Sequence, residues 1–118
     1  MSRVRVHWNL TRKDFVVRTL PTRPGAYRYA DAVCLRDARF IVSDAGRDMC
    51  RRKRGRWVHA WVEGTLCGCD GGHAGTFVTY NPFRDEQFRT ADGETVREAT
   101  HVRFSIGPDR KPVTRVVR

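Results

Sequence analysis

Hydrophobic and polar residues alternate over much of this chain, and period-two alternation marks strands that bury one face. Val4, Val6, Trp8 and Leu10 fall on one side of the first stretch, with Arg3, Arg5, His7 and Asn9 on the other. That pattern predicts a half-buried strand with a basic outer face. Thr11 to Asp14 read as a turn and Phe15 to Thr19 as the hairpin partner. Pro21 and Pro24 place a loop over Leu20 to Gly25, because proline has no N–H to give a sheet. Ala26 to Leu35 reads extended, with Tyr27, Tyr29 and Val33 available for packing. Arg36 and Asp37 interrupt it, and Ala38, Phe40 and Val42 resume the strand period.

The period then changes. Ser43 is a good helix N-cap, and Asp44 suits the positive end of a helix dipole. Val42, Ala45 and Met49 follow an i, i+3, i+7 pattern. Gly55 is a natural stop. These signals predict one short helix over about residues 43–54, with Gly46 costing it roughly 1 kcal/mol relative to Ala. After the glycine, alternation returns. Val58, Ala60, Val62 and Leu66 share one strand face, and Trp57, His59, Trp61 and Glu63 share the other.

Later elements are shorter. Phe77 to Tyr80 reads as a strand ended by Asn81 and Pro82, and Phe83 to Arg89 as extended or turn-like. Asp92-Gly93 is a hairpin turn signal, and Thr95 to Thr100 a connection. His101 to Ile106 alternates again, Gly107 to Lys111 turn, and Pro112 to Val117 reads as a closing edge strand. No internal repeat or domain boundary interrupts the series. The expected fold is α+β: one β-rich domain over residues 1–118, a curled antiparallel sheet or partly open small barrel with the helix covering one face.

Charge changes the picture. Lys and Arg number 23 against 13 Asp and Glu, a net charge of +10, with a pI of about 10.5. Such a chain favours anionic partners, DNA or RNA first, then an anionic membrane or an acidic protein surface. Arg far outnumbers Lys, which suits bidentate phosphate contacts, although a GC-rich coding sequence raises Arg as well. The charge is densest at Arg47, Arg51, Arg52, Lys53, Arg54 and Arg56, where only Asp48 offsets it. Cations at a helix C-terminus gain a few tenths of a kcal/mol each. This cluster exceeds that need, and an anion would relieve its repulsion. Trp57, His59 and Trp61 follow at once, and exposed aromatic rings beside Arg are how single-stranded nucleic acid is gripped. The bland alternative is a solvated basic turn beside structural tryptophans and a half-buried, satisfied histidine.

Candidate chemistry is sparse. Cys67, Cys69 and His73 offer soft metal ligands in a glycine-rich loop, with Cys50 or His101 as a fourth. Zinc sites usually place at least two residues between paired cysteines, and Cys-x-Cys is poor spacing. The expectation is thiols in a loop, with no metal and no cofactor. Acids are scattered, and the glycines lack the Lys-Ser/Thr ending of a nucleotide loop, so no enzyme is expected. No signal peptide and no membrane-spanning apolar run is read.

Several dispersed pieces share an order and spacing: Val6 to Leu10 (VHWNL), Phe15-Val16-Val17-Arg18, Ala30 to Leu35 followed by Ala38-Arg39-Phe40-Ile41-Val42, Ala45-Gly46-Arg47, Val58-His59-Ala60-Trp61-Val62 with Gly64, and Tyr80-Asn81-Pro82-Phe83. In this arrangement the chain resembles a family of small basic bacteriophage and prophage proteins, generally left uncharacterised. The resemblance implies a phage accessory protein and brings no catalytic residues to transfer. The Cys67 to Gly75 loop looks like an elaboration where such proteins vary. The combined expectation is a non-enzymatic nucleic-acid binder in the host bacterial cytoplasm, with packaging into the virion left open. The alternative is a protein-interaction module, a host-takeover factor or minor virion component that docks an acidic partner.

Overall fold

The structure is a computed structural model that describes residues 3–44, 51–53, 55–68, 76–78, 82–85, 87–90 and 92–117. The strands are β1 (Arg3–Asn9), β2 (Asp14–Thr19), β3 (Tyr27–Ala30), β4 (Ala32–Asp44), β5 (Arg51–Lys53), β6 (Arg56–Leu66), β7 (Thr76–Val78), β8 (Phe88–Arg89), β9 (Thr95–Val96), β10 (Glu98–Ile106) and β11 (Pro112–Val117). One helical turn, α1 (Pro82–Asp85), precedes β8. Nine strands form one antiparallel sheet in the order β3-β2-β1-β6-β4-β10-β11-β7, with β5 paired to β6 beside that path. β8 and β9 make a separate small hairpin.

The predicted helix over 43–54 is overturned. β4 runs on through Ser43 and Asp44, which stand opposite His59 and Val58 on β6. Arg51 to Lys53 form β5, paired in register with Val58 to Arg56. Residues 45–50 lie outside the described residues. Gly55 explains the error. Its φ of 82° belongs to the tight turn between Lys53 and Arg56. A left-handed glycine serves a two-residue hairpin as well as it serves a helix C-cap. The long apolar partner strand β6 decides between them, and that contact is non-local. The fold is therefore an open antiparallel sheet, and not α+β with a covering helix.

Other elements keep or change their expected roles. The β1–β2 hairpin pairs Val6 with Val17 and Trp8 with Phe15. Leu10, expected inward, sits in the turn and is 71 % exposed. β11 is not an edge, because β7 pairs along its outer side. Thr95 to Thr100 is not a bare connection; it holds β9 and the start of β10. Asp92-Gly93 does turn the β8–β9 hairpin, with Gly93 at φ 87°.

One face of the sheet makes the core. Val4, Val6, Phe15, Val17, Leu35, Phe40, Val62, Val102 and Phe104 are buried there, joined by Phe83 of α1 and Phe88 of β8. The Phe15 and Phe104 rings lie 5.5 Å apart. Their strands, β2 and β10, are separated by β1, β6 and β4, so a flat sheet would hold their backbones roughly 19 Å apart. The sheet is strongly curled around its apolar face. Phe83 bridges the curl, 5.4 Å from Phe104 and 6.3 Å from Phe15.

A bulge helps to set the curl. The β4–β6 register shifts between Arg36 and Arg39, and Asp37 takes φ 49°. The extra residue lets Leu35 before the bulge and Ala38 and Phe40 after it all bury on the same face. Gly64 on β6 makes room for it. A Cβ at Gly64 would lie 2.9 Å from the Arg36 carbonyl oxygen and 3.0 Å from Leu35 Cβ. Gly64→Ala is expected to lower stability by about 1–3 kcal/mol, read as a lower denaturant midpoint at unchanged m-value.

Candidate nucleic-acid interface

The outer face of the sheet carries arginines and aromatic rings in neighbouring positions. Tyr27 on β3 stands opposite Arg18 on β2, Arg18 opposite Arg5 on β1, and Arg5 opposite Glu63 on β6. The Arg18 guanidinium lies 5.0 Å from the centre of the Tyr27 ring. The Arg5 guanidinium lies 4.3 Å from the centre of the Trp61 ring. Arg5 also pairs with Glu63, its Nη2 and Nε donating to Oε1 at 3.0 and 3.3 Å. Trp61 Nε1 donates to the same oxygen at 3.0 Å. Trp61 is thus locked among Arg5, Glu63 and His59, and only 7 % of it is exposed.

Two histidines lie inside this cluster. His7 and His59 meet edge to face with ring centroids 5.6 Å apart. Burial lowers His7 from the ordinary 6.5 to about 4, and the positive charge of His59, Arg18 and Arg5 adds to the effect. His59 is lowered too, by burial first and then by Arg5 and Arg18. Both rings are therefore neutral at pH 7, and this cluster supplies no histidine cation to an anionic ligand.

Of the sequence-predicted basic residues, Arg51, Arg52, Lys53 and Arg56 occupy a β-ribbon, not a helix end. Arg52 stands opposite Trp57, and Lys53 opposite Arg56. Val58 pairs with Asp44 of β4 on one side and Arg51 of β5 on the other. β5 therefore lies on the side of β6 that β1 occupies further along, and it continues the line of β1. Trp57 and His59 are half-buried on β6. Arg47 and Arg54 lie outside the described residues.

The structure adds residues that the sequence pattern had assigned to packing. Tyr27 and Tyr29 on edge strand β3 are 44 % and 40 % exposed. Their ring centroids are 5.7 Å apart in an edge-to-face arrangement. Arg12 lies over Tyr29 at 3.7 Å. It comes from the β1–β2 turn, where Asn9 Oδ1 accepts from the backbone N–H groups of Thr11 and Arg12, both at 3.0 Å. The available signal was Tyr27-Arg28-Tyr29, two rings at strand spacing on one face. Nothing local says that this strand is an edge.

The metal candidates are only partly in view. Cys67 follows β6, and its N–H donates to the carbonyl of Cys34 at 3.0 Å. Cys50, Cys69 and His73 lie outside the described residues, and His101 stands opposite Arg36 on β4. Among the described residues no group of three or more His, Cys, Asp and Glu is placed to hold a metal. An open groove of about 820 Å³ lies between β4 and the β9–β10 junction, lined by Arg39, Phe40, Ile41, Val42, Val96, Arg97 and Glu98. Its charges are mixed in sign.

The family model of the Mycobacterium phage L5 gene 82 protein matches residues 1–108. The chain belongs to that family. Membership in the gene 82 family makes it a phage protein, and the match covers every strand of the curled sheet except β11. No significant match was found among curated proteins or among solved structures. Among the described residues no helix is long and apolar enough to cross a membrane.

The neutral histidines carry a stability consequence. Between pH about 6.5 and about 4, the unfolded chain binds a proton at His7 that the folded chain refuses. Stability is full above that window and is lost as pH falls through it. The expected loss from His7 is about 2–3 kcal/mol, measured by urea unfolding across this range. His7→Gln is expected to flatten the profile between pH 6.5 and 5.

Proposed function

We propose that this gene 82 family member is a non-enzymatic nucleic-acid-binding protein acting in the cytoplasm of the infected host. Its phosphate-contacting residues are Arg47, Arg51, Arg52, Lys53, Arg54 and Arg56, of which Arg51, Arg52, Lys53 and Arg56 belong to the β5–β6 ribbon. The supporting observation is the register of that ribbon, which sets a run of basic residues beside Trp57 in a chain of net charge +10. Arginine-rich backbone contacts confer affinity without fixing sequence, so selectivity among sequences is weak. Trp61 is held by Arg5 and Glu63, so its part is to brace the surface. His59 and Trp57 are the nearer neighbours of a bound chain.

The test is fluorescence anisotropy with labelled DNA and RNA across a salt series. Affinity is expected to fall steeply with salt, with a log–log slope of several units. Reversing Arg51, Arg52 and Arg54 to Glu is expected to abolish binding at physiological salt. Unchanged binding by that variant overturns the ribbon assignment. If the native protein binds no nucleic acid, the ribbon becomes the docking surface for an acidic host or virion protein.

A further inference from the structure

We propose that Tyr27 and Tyr29, with Arg12 and Arg18, form a stacking site for unpaired bases, so that the ligand is single-stranded nucleic acid. This deepens the nucleic-acid reading above and rests on it. Among the described residues the outer face carries three arginine–aromatic stacks, and they differ in exposure. Arg5 on Trp61 is closed to solvent, with the indole 7 % exposed. Arg12 on Tyr29 and Arg18 on Tyr27 lie where the rings are 40 % and 44 % exposed. Only the second kind offers a ring surface to a base.

The arginines are set for the other half of the ligand. A guanidinium that stacks on a ring uses its flat face and keeps its in-plane N–H groups for phosphate oxygens. Arg12 shares its charge only loosely, since Asp14 is 3.7 Å away and half of the Arg12 side chain is exposed. Lys13, next to it in the same turn, is exposed. The two tyrosines are two residues apart on one strand, a spacing of roughly 7 Å, which suits successive bases splayed from a flexible backbone. A duplex keeps its base faces stacked inside and shows only edges in its grooves. An acidic peptide would use the charges and leave the rings without purpose.

The position fits the ribbon as well. Tyr29 stands opposite Val16 and Val16 opposite His7, while β5 extends the line of β1 past the Leu10–Lys13 turn. A strand laid from the tyrosines toward β5 crosses the turn that carries Arg12 and Lys13. Base stacking at one end and phosphate contacts at the other are the two components of sequence-tolerant single-strand binding.

The experiment compares Tyr27→Ala/Tyr29→Ala and Tyr27→Phe/Tyr29→Phe with the native chain. The probes are a labelled oligothymidylate and a duplex of the same length, titrated at one salt concentration. Both tyrosines are partly exposed on an edge strand, and circular dichroism confirms that each variant folds. The native chain is expected to prefer the single strand. The alanine variant is expected to lose roughly 10-fold or more of that affinity and to keep its duplex affinity, while the phenylalanine variant retains both. An alanine variant that binds the single strand like the native protein overturns the stacking site and leaves the nucleic-acid reading intact. A native chain that binds neither probe overturns both.

Discussion

A single sheet can bury its apolar face beneath a second layer or by curling over it, and the described residues supply little second layer. Only α1 and the β8–β9 hairpin cover the inner face among the described residues. The sheet must therefore curl until strands well apart in the order touch through their side chains. Large flat rings suit that task, because they reach across the hollow and pack at an angle. Phe15, Phe40, Phe83, Phe88 and Phe104 form a continuous set of ring contacts across it. Valines beside them fill the wall.

The curl also shapes the outer face. Long arginine side chains lie down on neighbouring rings, which hides their stems and leaves the charge to be balanced by π faces and by Glu63. The two histidines stay neutral because burial disfavours their charged forms, and the arginines beside them add to the effect. The centre of this face is thus closed by Trp61 and its partners, whereas the tyrosines of the β3 edge remain partly exposed. The proposed binding surface joins that edge to the β5–β6 ribbon.

Local patterns were legible where one strand and its turn settle the matter. The β1–β2 hairpin and the two faces of β6 follow from alternation alone. The Asp92-Gly93 turn was legible from its dipeptide. What failed was decided by partners far along the chain. Ser43 and Gly55 read as the ends of a helix until β6 pairs with both β4 and β5. β11 read as an edge until β7 covered it. Phe83 and Phe88 gave no sign that they close the core. At the candidate site, the arginines were legible by type. The withdrawal of Trp61 from solvent was not, because Arg5 reaches Glu63 across 58 positions of sequence. The exposure of Tyr27 and Tyr29 depends on β3 having no outer neighbour among the described residues.

The bulge in β4 has a consequence for how such a chain can vary. Side chains on a strand change face with every residue, so one added position reverses the sense of all that follow. Asp37 supplies that position between Leu35 and Ala38. Losing one residue here would turn Phe40 outward and bring Arg39 and Ile41 against the phenylalanine core. The segment looks like a tolerant surface kink, yet its length is as constrained as any core position. Replacement of Asp37 by another residue that accepts its backbone angle leaves the phase intact, whereas a deletion scrambles inside and outside along the rest of the strand.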